Sequence, residues 1–193
     1  MGTIFTTTKD KDINASTIGA IAAQPTSGSY SVVTKRLGNF WSLKFAFTAC
    51  RIPVTDAAGS GSSGSIKIFD FVEGGIHLVS SRHDWNAFAE GSALTGGAND
   101  AAFVIAFGSV AADAGDGALT VTEVNFGATK SITLPSTGLN ATTLTGAQTP
   151  LDGTATAVDL YLNWSGTAAT IDANSYIDVT GTAEFVGTFI GDD

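Results

Sequence analysis

Hydrophobic and polar positions alternate most regularly over residues 41–52, where Trp41, Leu43, Phe45 and Phe47 define one face and Ser42, Lys44, Ala46 and Thr48 the other. A period of two, rich in aromatic and β-branched residues, predicts a half-buried strand. This strand runs to Ile52, and Pro53, which lacks a backbone N–H, is expected to stop its pairing. A strand over Tyr30–Arg36 precedes it, closed by Leu37, Gly38 and Asn39. The same alternation returns late in the chain. Val158, Leu160, Leu162 and Trp164 form one run; Ile177, Val179, Ala183 and Phe185 form another, and Asp172–Ser175 supplies turn formers between them. These two runs read as a long closing hairpin over residues 158–190. Its apolar face has to be buried against another sheet, with the strand over Trp41–Ile52 as the expected partner.

Between these ends the pattern predicts shorter elements. Ser65–Val72 and Ile76–Arg82 flank Glu73, Gly74 and Gly75, a hairpin signal. Ala101–Phe107 is a continuous apolar run that suits a fully buried strand, and Leu119–Phe126 with Lys130–Leu134 reads as a strand pair around Gly127. Thr55–Gly64 has no side chain able to anchor a core and is expected to be a mobile connection. His83–Asp100 is a polar connection with one helical turn at Trp85–Glu90, and Pro135–Ala157 is a long loop. Residues 1–29 are small and polar apart from Ile18–Ile21, and they read as an extended arm, either a flexible tail or a segment that orders against a neighbour. The fold class that follows is all-β: a two-sheet antiparallel β-sandwich of jelly-roll type with about eight or nine strands. The arm covers residues 1–29 and a single sandwich domain residues 30–193.

Composition narrows the function classes. The 193 residues are 44% hydrophobic and only 14% charged, which supplies ample core for one domain. No window of about 18 apolar residues encodes a membrane span. The first residues lack the basic start and apolar run of a Sec-type signal, and Gly2 matches only the loose myristoylation pattern. Cys50 is the sole cysteine, so no intrachain disulfide forms, and its place in a strand makes it a packed residue. The sequons at Asn14, Asn140 and Asn163 are expected by chance in so Ser/Thr-rich a chain, and Asn163 lies within a predicted strand. Charge divides sharply. Residues 1–82 hold eight Lys/Arg against five Asp/Glu, whereas residues 83–193 hold Lys130 alone against thirteen Asp/Glu. A net charge of −9 argues against nucleic acid as a partner, while the more basic first half suits an acidic protein.

Candidate chemistry is sparse. His77 lies in a predicted strand and His83 stands beside Asp84, yet neither belongs to a metal-ligand spacing or a triad with a nucleophile elbow. Asp113 and Asp116, flanked by Gly115 and Gly117, are the best calcium-loop candidates but lack the remaining ligands. Glu73, Glu90, Glu123 and Glu184 stand in turns, loops or strands without a motif, and sequence cannot face two of them across a cleft as glycoside hydrolysis requires. Trp41 and Trp164 alternate in phase with core residues, leaving Trp85 as the candidate surface platform for a sugar. No catalytic, cofactor-binding or metal residue is assigned.

Several segments together resemble the decoration, or cement, proteins of tailed-bacteriophage heads. They are Ile52-Pro53-Val54-Thr55-Asp56 with the Ala/Gly/Ser stretch after it, residues 67–74 (KIFDFVEG), Phe107-Gly108-Ser109 and residues 119–123 (LTVTE). Leu160-Tyr161-Leu162-Asn163 with Asp172-Ala173, and Val179-Thr180-Gly181-Thr182, continue the resemblance over most of residues 28–190. It implies a β-sandwich on the capsid exterior, a homotrimer by preference, that bridges subunits of the major capsid protein without enzymatic activity or cofactor. Residues 1–29 and the basic first half are then expected to face the shell. Rival readings are a jelly-roll major capsid subunit, a carbohydrate-binding or tail-associated module acting through Trp85, and a hydrolase built on paired carboxylates.

Overall fold

The computed structural model describes residues 18–58, 61–90, 102–112, 118–133, 140–145, 150–166 and 176–190. Within them the chain forms ten antiparallel strands and one 3-10 turn, Val121–Glu123, with no α-helix. The strands are β1 (Gly19–Ile21), β2 (Ser29–Leu37), β3 (Phe40–Ala58), β4 (Gly61–Phe71), β5 (Gly75–Glu90), β6 (Ala102–Gly108), β7 (Lys130–Thr133), β8 (Asn140–Thr145), β9 (Asp159–Gly166) and β10 (Tyr176–Ile190).

Alternation explains β2 and the first part of β3. Gly38, at φ +60°, makes the two-residue turn that sets Leu37 opposite Phe40, and from that register Trp41, Leu43, Phe45 and Phe47 all point into the core. The pattern then changes phase, because Cys50 and Ile52 are the next buried positions. A bulge does this. Phe47 pairs with Gly181 and Cys50 with Val179, so β3 spends one residue more than β10 between those points, and Ala49 sits there at φ 44°. A second bulge acts in β5. Leu78 pairs with Gly187 and Ser80 with Val186, so Val79 is extruded and the buried set moves from Ile76 and Leu78 to Ser81, His83, Trp85 and Ala87.

The strand order is β7-β6-β9-β4-β3-β10-β5-β8, with β1 beside β4 and β2 beside β3. Long strand β3 belongs to both halves: residues 40–53 pair with β10, and residues 54–58 with β4. Taken in chain order, β3 to β10 pair in nested fashion: β6 with β7, β5 with β8, β4 with β9 and β3 with β10. The sheet folds over on itself and its ends, β7 and β8, approach each other, giving a barrel-like outline. Aromatic side chains fill the enclosed space. Phe45 meets Phe69 edge-on at 6.3 Å, Phe107 meets Phe185 at 4.9 Å, and Trp41 tilts over Phe71 at 5.2 Å.

Several expectations are corrected. Residues 158–190 are not a hairpin: β9 pairs with β4 and β6, β10 with β3 and β5, and the Trp41–Ile52 strand is β10's hydrogen-bonded neighbour in the same half. Residues around Glu73–Gly75 make a corner between the halves, since β4 and β5 do not pair. Thr55–Gly64 is no free connection; strands occupy it up to Ala58 and from Gly61, and Pro53 pairs with Tyr176 inside β3. Trp85–Glu90 is strand, not helix, and Pro135–Ala157 contains β8. Leu119–Phe126 holds the 3-10 turn, leaving Lys130–Thr133 to pair with β6. Of the arm expected over residues 1–29, Gly19–Ile21 is strand β1, paired with β4, and Ile18 is buried. Residues 1–17 lie outside the described residues.

Candidate functional site

Trp85 is wholly buried, which removes it as a sugar platform. The bulge at Val79 turns it inward, where it packs on Phe47 and Phe107 at 5.1 and 5.7 Å. His83 follows it into the interior. Its Nε2 lies 2.8 Å from the carbonyl of Ala128 and its Nδ1 accepts the Trp85 indole N–H at 2.5 Å, so the ring is the neutral Nε2–H tautomer. Burial holds its pKa below the ordinary value, and Lys130 adds to the lowering against Ala128 and Asp84. His77, in the same strand, alternates outward between Ile76 and Leu78, so the two histidines do not meet. Cys50 is a free, buried thiol pushed up to about 12 by burial and by Asp178, the opposite of an activated nucleophile. Among the described residues no three His, Cys, Asp or Glu side chains gather as a metal site requires. Asp113 and Asp116 lie outside the described residues, as does the Glu90 side chain.

The glutamates disperse. Glu73 is exposed at the β4–β5 corner and Glu184 on the outward face of β10, whereas Glu123 is buried. Its carboxylate accepts the backbone N–H and the hydroxyl of Thr120, which caps the 3-10 turn. Beside it stands Asn163, whose sequon is sealed inside the protein. Its Oδ1 accepts from Ser65 Oγ at 2.6 Å and Ala112 N at 3.2 Å, while Nδ2 donates to the carbonyls of Val110 and Glu123, each at 2.9 Å. All four hydrogen-bonding positions are used, and they pin the segment after β6 onto the outside of β9.

Sequence reasoning missed one carboxylate pair. Asp70 of β4 lies directly opposite Asp159 of β9, and Lys67 Nζ reaches both, at 2.6 and 3.5 Å. The Tyr161 hydroxyl donates to Asp159 at 3.2 Å. Burial, then the hydrogen bond with Asp70, raises the Asp159 pKa. Burial also acts upward on Asp70, but the Lys67 hydrogen bond, with that from Asp159, outweighs it and holds that carboxyl low. Of the two, Asp159 is therefore the first to take up a proton as pH falls. The two carboxylates stand side by side on adjacent strands rather than across a cleft, a poor arrangement for glycoside hydrolysis. Only cross-strand register could have revealed them, because they are 89 positions apart.

Surface relief is shallow. A concavity of about 310 Å³ is lined by Ser109, Leu151, Asp152, Val158 and Asp159. Another of about 160 Å³ lies on the outward face of β3, β10 and β5 among Lys44, Arg82, Asp84 and Glu184. No helix among the described residues is long and apolar enough to cross a membrane.

No family model matches the chain, and no curated protein matches it either. The solved structures similar to it include one described as an arabinose-bound MgGH51 α-L-arabinofuranosidase, with a TM-score of 0.35 and 11% identity. The match covers 83% of this chain and 22% of that one.

Proposed function

We propose that this chain is a non-enzymatic structural virion protein that decorates a phage capsid, bridging major capsid protein subunits on the outer surface as a homotrimer. The observation that carries the reading is the nested pairing of β3 to β10. Separated at β3, the order becomes β3-β10-β5-β8 facing β4-β9-β6-β7. That interleaving supports a two-sheet jelly-roll sandwich, an architecture used by viral capsid domains. Architecture alone does not choose a function; the segments resembling decoration proteins supply the class. Most of them fall on strands or corners of the body, including residues 67–74, 160–163 and 179–182. In this reading the more basic first half faces the shell and the acidic half faces outward, and many copies compensate for a small contact area per copy.

The same strand order favours a second reading, a jelly-roll major capsid subunit. Proteomics of intact purified virions, with copy number set against the most abundant head protein, separates the two. A second abundant head protein at comparable copy number supports decoration. Identity with the most abundant protein, or closed shells formed by the purified chain alone, supports the major subunit. A handful of copies per particle would sink both.

A further inference from the structure

The outward face of β2 and β3 ends in an apolar corner. Leu37 is 69% exposed and Phe40 60%, and they stand opposite one another across the strand pair. Val33, 43% exposed, shares the face four positions down β2, and Val79, extruded by the β5 bulge, is equally exposed two strands from β3. Large apolar side chains clustered on a soluble surface and edged by polar groups mark binding sites.

Cations edge this corner. Lys35 lies between Leu37 and Val33 on the outward side of β2, and Lys44 is the cross-strand partner of Val33 on one side and of Glu184 of β10 on the other. Neither forms an ion pair among the described residues. Arg36 stands on the opposite face of β2, across from Trp41, and braces the hairpin from behind, its guanidinium 4.8 Å above the Phe189 ring and its Nε donating to Gly38 O at 2.8 Å. The Phe189 N–H donates to Asn39 O at 2.8 Å, tying the hairpin tip to β10. These contacts brace the hairpin tip against β10, and a braced tip lowers the entropic cost of docking. An exposed aromatic such as Phe40 is of a residue class that dominates interface energies.

We infer that this corner docks onto a protein surface that offers an apolar recess edged by carboxylates. The inference rests on the reading above, under which that surface belongs to the capsid shell. Charge selects the partner's chemistry. The chain carries −9 overall, which repels nucleic acid and anionic lipid at long range, and the two lysines are too few to hold a phosphate backbone at physiological salt. They suffice to match a few carboxylates beside an apolar contact.

The test uses heads purified from a phage lacking this gene, mixed with the full-length protein and sedimented at increasing salt. Three forms are compared: wild type, the double variant Leu37→Ser with Phe40→Ser, and the double variant Lys35→Glu with Lys44→Glu. All the substituted side chains are exposed, and circular dichroism with thermal melting checks that each form is folded. The expected result is wild-type binding that weakens with salt, with each double variant at least about tenfold weaker. In the charge variant the salt dependence flattens or inverts. Wild type that binds while both variants bind equally well overturns the inference and leaves the functional reading intact. Wild type that does not bind heads overturns both. An oligomer that the serine variant converts to monomer assigns the corner to contact between copies and overturns the inference.

Discussion

His83 accepts one hydrogen bond and donates another, and only the neutral ring can do both. A second proton, on Nδ1, would face the Trp85 N–H head-on. The folded pKa lies below the ordinary 6.5, so the unfolded chain takes up the proton first as pH falls. The stability His83 contributes is therefore complete above about pH 6.5 and is lost as pH drops below it. Thermal melts between pH 8 and 5 should show wild type losing up to ~1.4 kcal/mol per pH unit more than His83→Gln below that point. Equal slopes for the two proteins would refute the assignment. Asn163 offers a second test. Removing its amide leaves Ser65, the Ala112 N–H and two carbonyls without their partner, so Asn163→Ala should cost about 3 kcal/mol in urea unfolding. Asn163→Asp keeps the acceptor but turns a carboxylate toward the Val110 and Glu123 carbonyls, and it should be the worse of the two.

At the scale of the strand, the two bulges decide which side chains are inside. Ala49 at φ 44° occupies a conformation that costs an L-residue about 1 kcal/mol and glycine little. Ala49→Gly should accordingly be neutral or raise stability by about 0.5 kcal/mol, whereas the β-branched Ala49→Val should lower it by more than about 1 kcal/mol. Chemical denaturation of the pair checks both signs. The bulges also explain what sequence could and could not say. β2, the first part of β3, β6, β9 and β10 were legible because their alternation or apolar runs stay unbroken. In β5, extrapolating from Ile76 and Leu78 places His83 and Trp85 outside, and one inserted residue, Val79, reverses that. The stretch at Ser62–Ser65 misled for a different reason. It is buried without large apolar groups, in part because its neighbour β9 offers Asn163 for Ser65 to bond. Alternation names the buried face of a strand and is silent about its neighbours, so both proposed hairpins failed where the chain crosses between halves.

For the whole molecule, nested pairing makes the last strand indispensable to one of the earliest. β10 lies between β3 and β5 along nearly its full length, and it contributes Val179, Ala183 and Phe185 to the core. A chain truncated after residue 175 should therefore fail to fold rather than form a smaller domain. Insolubility, or loss of the cooperative melting transition, would be the readout, and a soluble product with a sharp melt would contradict it. The charge division, legible from the sequence, is largely spent in the fold, where Arg51, Lys67 and Arg82 pair with carboxylates, while Lys35 and Lys44 stand beside the exposed Leu37 and Phe40. That juxtaposition could not be foreseen, because Leu37 and Phe40 look no different in sequence from the apolar residues that fill the core. The nesting has a consequence for how the protein is made. Once β3 leaves the ribosome it must wait for on the order of a hundred further residues before its partner exists, several seconds or more at ordinary elongation rates. Through that interval Trp41 and Phe45 lack the cover of Phe189 and Phe185 and β3 lacks its hydrogen-bonded neighbour, so a nascent chain of this design depends on slow aggregation, or on a holding chaperone, until synthesis reaches β10.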